Sequence, residues 1–388
     1  MATRTAIPED SRTRRENASR TLTRVWLCLF LFPVLAIAQS TLTRFDDLAV
    51  QASSARERND IPTAIKLYGD SVQLQPDWPE GWWYLGVLQY GTAAYPEARD
   101  ALTHYIELTP TAGPAFAVRG LCEFEIGEYS QSLHDIEQGL SLGAANQSRN
   151  ESTLRYHRAL LLTTDGDFEG ALRDFAFVAK DGVTDPQMNL GIGLAGLRKP
   201  MLPKDVPRDQ RDLVLAVGNA AFRFMTSDDQ KGQQEFQDLF HRFPATANAH
   251  YFLGYLLFTK DKDQAVIEFR RELETTPNNA AAQTMLAWDL LLRNDAAGAL
   301  PYAEKAAAAV PASPSAQLVL GRSLVETGRV NDGMGHLETA LQLDPGNIEV
   351  HFALVRGYSE LGRKEDAQRE RLRCVEMTKS ESTAVVHP

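Results

Sequence analysis

The chain is poor in the residues that build covalent and catalytic frameworks. Three cysteines occur in 388 residues, Cys28, Cys122 and Cys374, and no two share a CxxC spacing. A disulfide framework and a cysteine metal motif are both excluded. Eight histidines are scattered without HExxH or HxH spacing, so no histidine metal site is expected. A GxSxG elbow and a phosphate-binding loop are missing as well. His134 and Asp135 adjoin, but no serine or cysteine nucleophile motif accompanies them. Gly191-Ile192-Gly193 has no strand before it, which a dinucleotide loop requires. The acid pairs Asp228-Asp229 and Glu365-Asp366 fall at helix starts, where acids cap free N–H groups and complement the helix dipole. The expectation is a protein that is not an enzyme, with no cofactor and no metal.

Positive charge is also scarce. Lys and Arg number 40 against 51 Asp and Glu, for a net charge of −11. Six arginines sit in residues 4–24, ahead of an uncharged run from Val25 to Ala38. That run has 14 residues and contains Pro33. A bilayer span needs roughly 20. The run ends in Ala36-Ile37-Ala38, followed by Gln39, which reads as a signal peptide over residues 1–38 cut after Ala38. The alternative is an uncleaved signal-anchor that tethers the protein. Cleavage removes six arginines and three acids and leaves 34 bases, 48 acids and a net charge of −14. Such a chain repels nucleic acid and anionic lipid. We therefore expect an exported, periplasmic or secreted protein with no nucleic-acid partner and no stable membrane span after cleavage.

What the chain does contain is a period of 34 residues. In a unit opening at Pro79, the residues Trp82, Leu85, Gly86, Ala98, Tyr105 and Pro110 take positions 4, 7, 8, 20, 27 and 32. Further units open at Phe45, Gly113, Ser152, Leu213, Ala247, Ala280, Pro314 and Ile348. Small residues at positions 8, 20 and 27 let two helices approach closely. Proline at 32 cannot continue the second helix and closes it. A lone pair cannot bury its apolar face, so pairs must stack. The pattern resembles the tetratricopeptide repeat family. The resemblance implies an all-α fold, a right-handed superhelical solenoid of antiparallel helix pairs.

The frame gives a map of the chain. A linker at 39–44 follows the signal peptide. An N-terminal array of about four repeats covers 45–185. Three prolines, Pro200, Pro203 and Pro207, interrupt residues 186–212, where one orphan helix and a stiff loop are expected to break or bend the array. A C-terminal array of about five repeats covers 213–377. Its charged last helix is expected to cap the stack. A short polar tail at 378–388 is expected to be disordered.

In the family that the frame resembles, ligands lie on the concave face, lined by the first helix of each repeat at positions 2, 5, 9, 12 and 13. Positions 5, 9 and 12 here supply Trp83, Tyr90, Phe124, Phe224, Tyr251, Tyr255, Phe258, Trp288 and Phe352, with Arg322 and Arg356 near the C-terminal end. Aromatic rings give large contact area at low entropic cost, and arginine pairs bidentately with carboxylates. The family's chaperone-adaptor clamp, Lys at 5 and Asn at 9, is missing from every repeat. The resemblance implies a scaffold that binds a protein or peptide partner in this groove. The alternative is an accessory protein of envelope polysaccharide or outer-membrane assembly that grips a glycan polymer or a partner enzyme.

Overall fold

The computed structural model describes residues 43–144, 148–182 and 185–386, with backbone alone at 148–150 and 380–386. The expected signal peptide lies outside the described residues. Among those described, no helix is long and apolar enough to cross a membrane, and none forms a strand.

Two compact units divide the chain between His157 and Arg158. The first holds α1 (43–57), α2 (Ile61–Leu74), α3 (Pro79–Gly91), α4 (Tyr95–Leu108), α5 (Gly113–Ile126) and α6 (Tyr129–Ser141). The boundary falls inside α7 (Ser148–Asp165). The second unit continues through α8 (Phe168–Lys180), α9 (Pro186–Gly196), α10 (Arg208–Met225) and α11 (Asp229–Arg242). It is completed by α12 (Ala249–Leu257), α13 (Lys262–Thr275), α14 (Ala280–Leu292), α15 (Ala296–Ala309), α16 (Pro314–Glu326), α17 (Val330–Leu343), α18 (Ile348–Glu360) and α19 (Lys364–Val386). The architecture is all-α, a stack of helix pairs in each unit.

Local chemistry sets the helix ends. Asp60, Asp167, Asp261, Asp295 and Ser313 each accept a hydrogen bond from the backbone N–H three residues on. This satisfies donors that the helix itself leaves open. Proline opens α3, α9 and α16, where its missing N–H costs nothing.

Within a pair, position 8 meets positions 20 and 24. A Cβ on Gly120 would stand 3.1 Å from the Ser132 carbonyl oxygen and 2.9 Å from Ile136 Cγ1. On Gly321 it would stand 2.9 Å from the Gly333 carbonyl and 2.8 Å from Leu337 Cγ. Between repeats a different device recurs. Position 4 donates a side-chain N–H to the carbonyl of the proline six residues earlier. Trp82 donates to Pro76, Gln283 to Pro277 and Gln317 to Pro311, each at 2.8 Å. His351 Nε2 takes the same place against Pro345 at 3.2 Å. The turn that follows one second helix is thus tied to the first helix of the next repeat. Gln317 also accepts from His336 at 2.7 Å, and His351 Nδ1 meets Glu370 at 2.6 Å, so the tie reaches the pair's own second helix.

The structure differs from the sequence map at three places. The helix expected to be an orphan has a partner, because α9 packs along α10. A Cβ on Gly218 would collide with the Asn189 carbonyl, and one on Gly193 with the Val214 carbonyl. The prolines end the loop at Pro207 and α10 starts at once, so they delay the partner without removing it. The expected break at 186–212 lies inside the second unit, with Leu202, Pro203 and Val206 buried. The tail expected to be disordered from Thr378 continues as helix to Val386.

Replacing Gln317 with Met keeps the side-chain length but leaves the Pro311 carbonyl and His336 without their partner. We expect a loss of about 2 kcal/mol, seen as a lower urea midpoint at unchanged slope. An unchanged midpoint would show that the tie carries no stability.

Candidate functional site

The expected groove residues divide into packing side chains and open ones. In the first unit, Trp83 and Tyr90 pack against a core of Ala98, Leu102, Ile106, Ala115 and Cys122. The Trp83 ring lies 5.5 Å from Tyr105 and the Tyr90 ring 5.9 Å from Tyr95. Phe124 meets Tyr129 at 5.7 Å and the edge of His157 at 4.9 Å. All three rings are half-buried.

In the second unit, Tyr251 leaves the groove altogether. It is 4% exposed, and its hydroxyl donates to Glu169 at 2.9 Å. Arg198 also binds Glu169 and lies 5.6 Å from the Tyr251 ring centre. Burial, and then the Glu169 charge, hold the Tyr251 phenol well above its ordinary range. Position 5 faces inward in this repeat because Arg198, beyond the end of α9, supplies a charged partner there.

Three other candidates converge. Phe224 from α10 and Tyr255 and Phe258 at the end of α12 line one cleft of about 410 Å³. Met225, Leu256, Met285, Lys180 and Lys260 line it too. Lys260 pairs with Asp229 and lies 5.6 Å from the Phe224 ring centre. Burial raises the Tyr255 phenol above its usual range.

A second cleft of about 220 Å³ gathers Arg322, Phe352 and Arg356 between α16 and α18. Trp288 stands behind it, half-buried, with the Arg322 guanidinium 5.4 Å from its ring centre. Glu326 and Glu349 line this cleft too. They occupy positions 13 and 2, and reading those positions in the sequence would have found them. Met285 and Lys180 lie at positions 6 and 29, outside the face that the repeat pattern marks.

Asp135 turns inward to accept from Arg119, while His134 stays exposed, so that adjacent pair does not act together. Among the described residues no cluster of His, Cys, Asp and Glu is arranged to hold a metal ion.

Stacked helix pairs define an all-α helical-repeat protein. Comparison gives the class its name: a family model described as tetratricopeptide repeat matches residues 50–113 and 284–348. The chain carries the tetratricopeptide repeat in those two segments. Among solved structures it is similar to MamA from Desulfovibrio magneticus RS-1, at 21% identity and a TM-score of 0.38, over 43% of this chain and 96% of that one. A further crystal structure of MamA matches at 14% identity and 0.37, over 42% and 96%. YrrB, described as a TPR protein with an unusual peptide-binding site, matches at 17% and 0.37, over 45% and 90%. Likeness at this level says nothing of this chain's ligand. No curated protein matches the chain.

One buried acid in the first unit gives a pH signature. Glu123 is 5% exposed, and its Oε2 has no hydrogen-bond partner. Burial first, and the neighbouring Asp135 charge second, push its carboxyl from 4.5 up to about 7, against the opposing pull of Arg119. The folded state therefore holds this proton more tightly than the unfolded chain. The resulting stability is fully present below pH 4.5 and is lost as pH rises to about 7. At pH 8, Glu123→Gln should be more stable than the parent by about 2 kcal/mol, and the gap should close near pH 4. Urea unfolding at the two pH values checks this, and a gap independent of pH would contradict it.

Proposed function

We propose that the protein is an exported scaffold that grips a protein or peptide partner through the first-helix face of its second unit. One observation carries the reading. Phe224, Tyr255 and Phe258, from two helices and two repeats, meet with Met225 and Met285 in a cleft of about 410 Å³. Methionine adapts to irregular apolar surfaces, and aromatic anchors dominate binding energies. The size lies within the usual range for a bound group, roughly 300–1,000 Å³. The basic region, short apolar run and Ala36-Ile37-Ala38 end within residues 1–38 support export, and the missing catalytic motifs favour a role in binding.

The test is a crosslinking capture from the envelope fraction, read by mass spectrometry. Wild-type protein should begin at Gln39 and recover a protein partner. The double variant Tyr255→Ala and Phe258→Ala should recover about tenfold less of it. Its thermal midpoint should shift by only a few degrees, because both rings are half-buried. Undiminished recovery would overturn the cleft assignment. Recovered glycan in place of protein would favour polymer binding, and material beginning at Met1 would refute cleavage.

A further inference from the structure

The cleft between α16 and α18 holds two cations on one anion. Arg322 Nε donates to Glu326 Oε1 at 2.9 Å, and Arg356 Nη1 meets the same oxygen at 3.0 Å. The Glu326 side chain is 6% exposed, so a single buried carboxylate serves both guanidiniums. Each guanidinium has five N–H donors in a fixed fork, and one bond apiece leaves donors unused. The Arg356 side chain is 53% exposed. One turn before it on α18, Phe352 is 52% exposed in the same cleft. Glu349, a turn before Phe352 on the same helix, lines the cleft too. Acid, ring and base thus follow one another along one face of α18.

We infer that this cleft reads an acidic residue placed two positions from an apolar residue in an extended peptide. The spacing carries the inference. Phe352 and Arg356 lie four residues apart in a helix, about 6 Å along its axis. Residues i and i+2 of an extended chain share one face and lie about 6.7 Å apart. Adjacent residues point to opposite faces, so an acid directly beside the apolar residue cannot reach both groups. Glu349 repels a second acid at the ring end and directs the carboxylate to the arginines. The volume of about 220 Å³ suits side chains and lies below the roughly 300 Å³ at which small-molecule pockets begin.

This assignment rests on the reading of the protein as a peptide-binding scaffold and adds the partner's chemistry. It is tested with the full chain and three capped peptides, by saturation-transfer NMR titration. The first is acetyl-Ser-Glu-Ser-Phe-Ser-amide. The second moves Phe next to Glu, and the third replaces Glu by Gln. The first peptide should bind about tenfold tighter than the other two. Arg356→Ala and Phe352→Ala should each weaken it by about tenfold, and Arg356→Lys by less, because lysine keeps the charge but not the fork. Both replaced side chains are more than half exposed, and unchanged circular dichroism confirms their folds. Equal affinity for the spaced and adjacent peptides overturns the inference, as does binding unaffected by Arg356→Ala, or no binding at all. The double variant Tyr255→Ala and Phe258→Ala should bind the first peptide undiminished. If it alone loses the peptide, this cleft is not the reader, while the scaffold reading stands.

Discussion

The structure depends on how closely two helices can pass. At position 8 of four repeats the residue is glycine, and the facing carbonyl at position 20 lies where a side chain would begin, counting the repeat that opens at Ala247 with its one missing inter-helix residue. The distance from an added Cβ is 3.4 Å at Gly86, 3.1 Å at Gly120, 3.0 Å at Gly254 and 2.9 Å at Gly321. Close passage brings the position 24 side chain, Leu102, Ile136, Phe269 or Leu337, directly over the glycine and buries it fully. Each pair then presents a regular edge, and the position 4 ties to proline carbonyls fasten the next pair onto that edge. The same constraint recurs at Gly193 and Gly218, where α9 and α10 cross. That crossing inserts an additional helix without breaking the second unit.

Most of the architecture was legible in the sequence because spacing is a property of sequence. First helices begin at Pro79, Gly113, Ala280, Pro314 and Ile348, where the 34-residue frame opens. The α9–α10 pair was not legible. Pro200, Pro203 and Pro207 marked a break in helix, and nothing local revealed that Asn189 and Gly218 would meet across it. The polar tail after 377 carries no sign of helix, because polar residues with no core to bury are equally at home on a solvated helix and off one.

The candidate site was legible in part. Aromatic residues at positions 5, 9 and 12 marked a face, but burial depends on which neighbour packs there. Tyr251 illustrates the limit. Its ring joins the core because Arg198 and Glu169 arrive from α8 and the loop after α9, 82 residues away from it at the Glu169 end. Tyr255 and Phe258, one and two turns further along the same helix, escape that coverage. The two clefts of the second unit differ in chemistry. One is aromatic and methionine-lined, and the other is built on paired guanidiniums. On the proposed reading, one cleft takes apolar anchors and the other reads charge, which would give a scaffold specificity without a deep pocket.

The claim that close passage organises the fold is tested most directly by equilibrium unfolding of alanine variants at Gly86, Gly120, Gly254, Gly321 and Gly218, beside Gly335→Ala as reference. Nothing lies within 4 Å of the Cβ position at Gly335, which is exposed in mid-helix. Its variant should gain about 0.8 kcal/mol from helix propensity. The five close-passage variants should instead each lose about 1–3 kcal/mol through overpacking, with Gly218 the most affected. Gains at these sites equal to that at Gly335 would contradict the account.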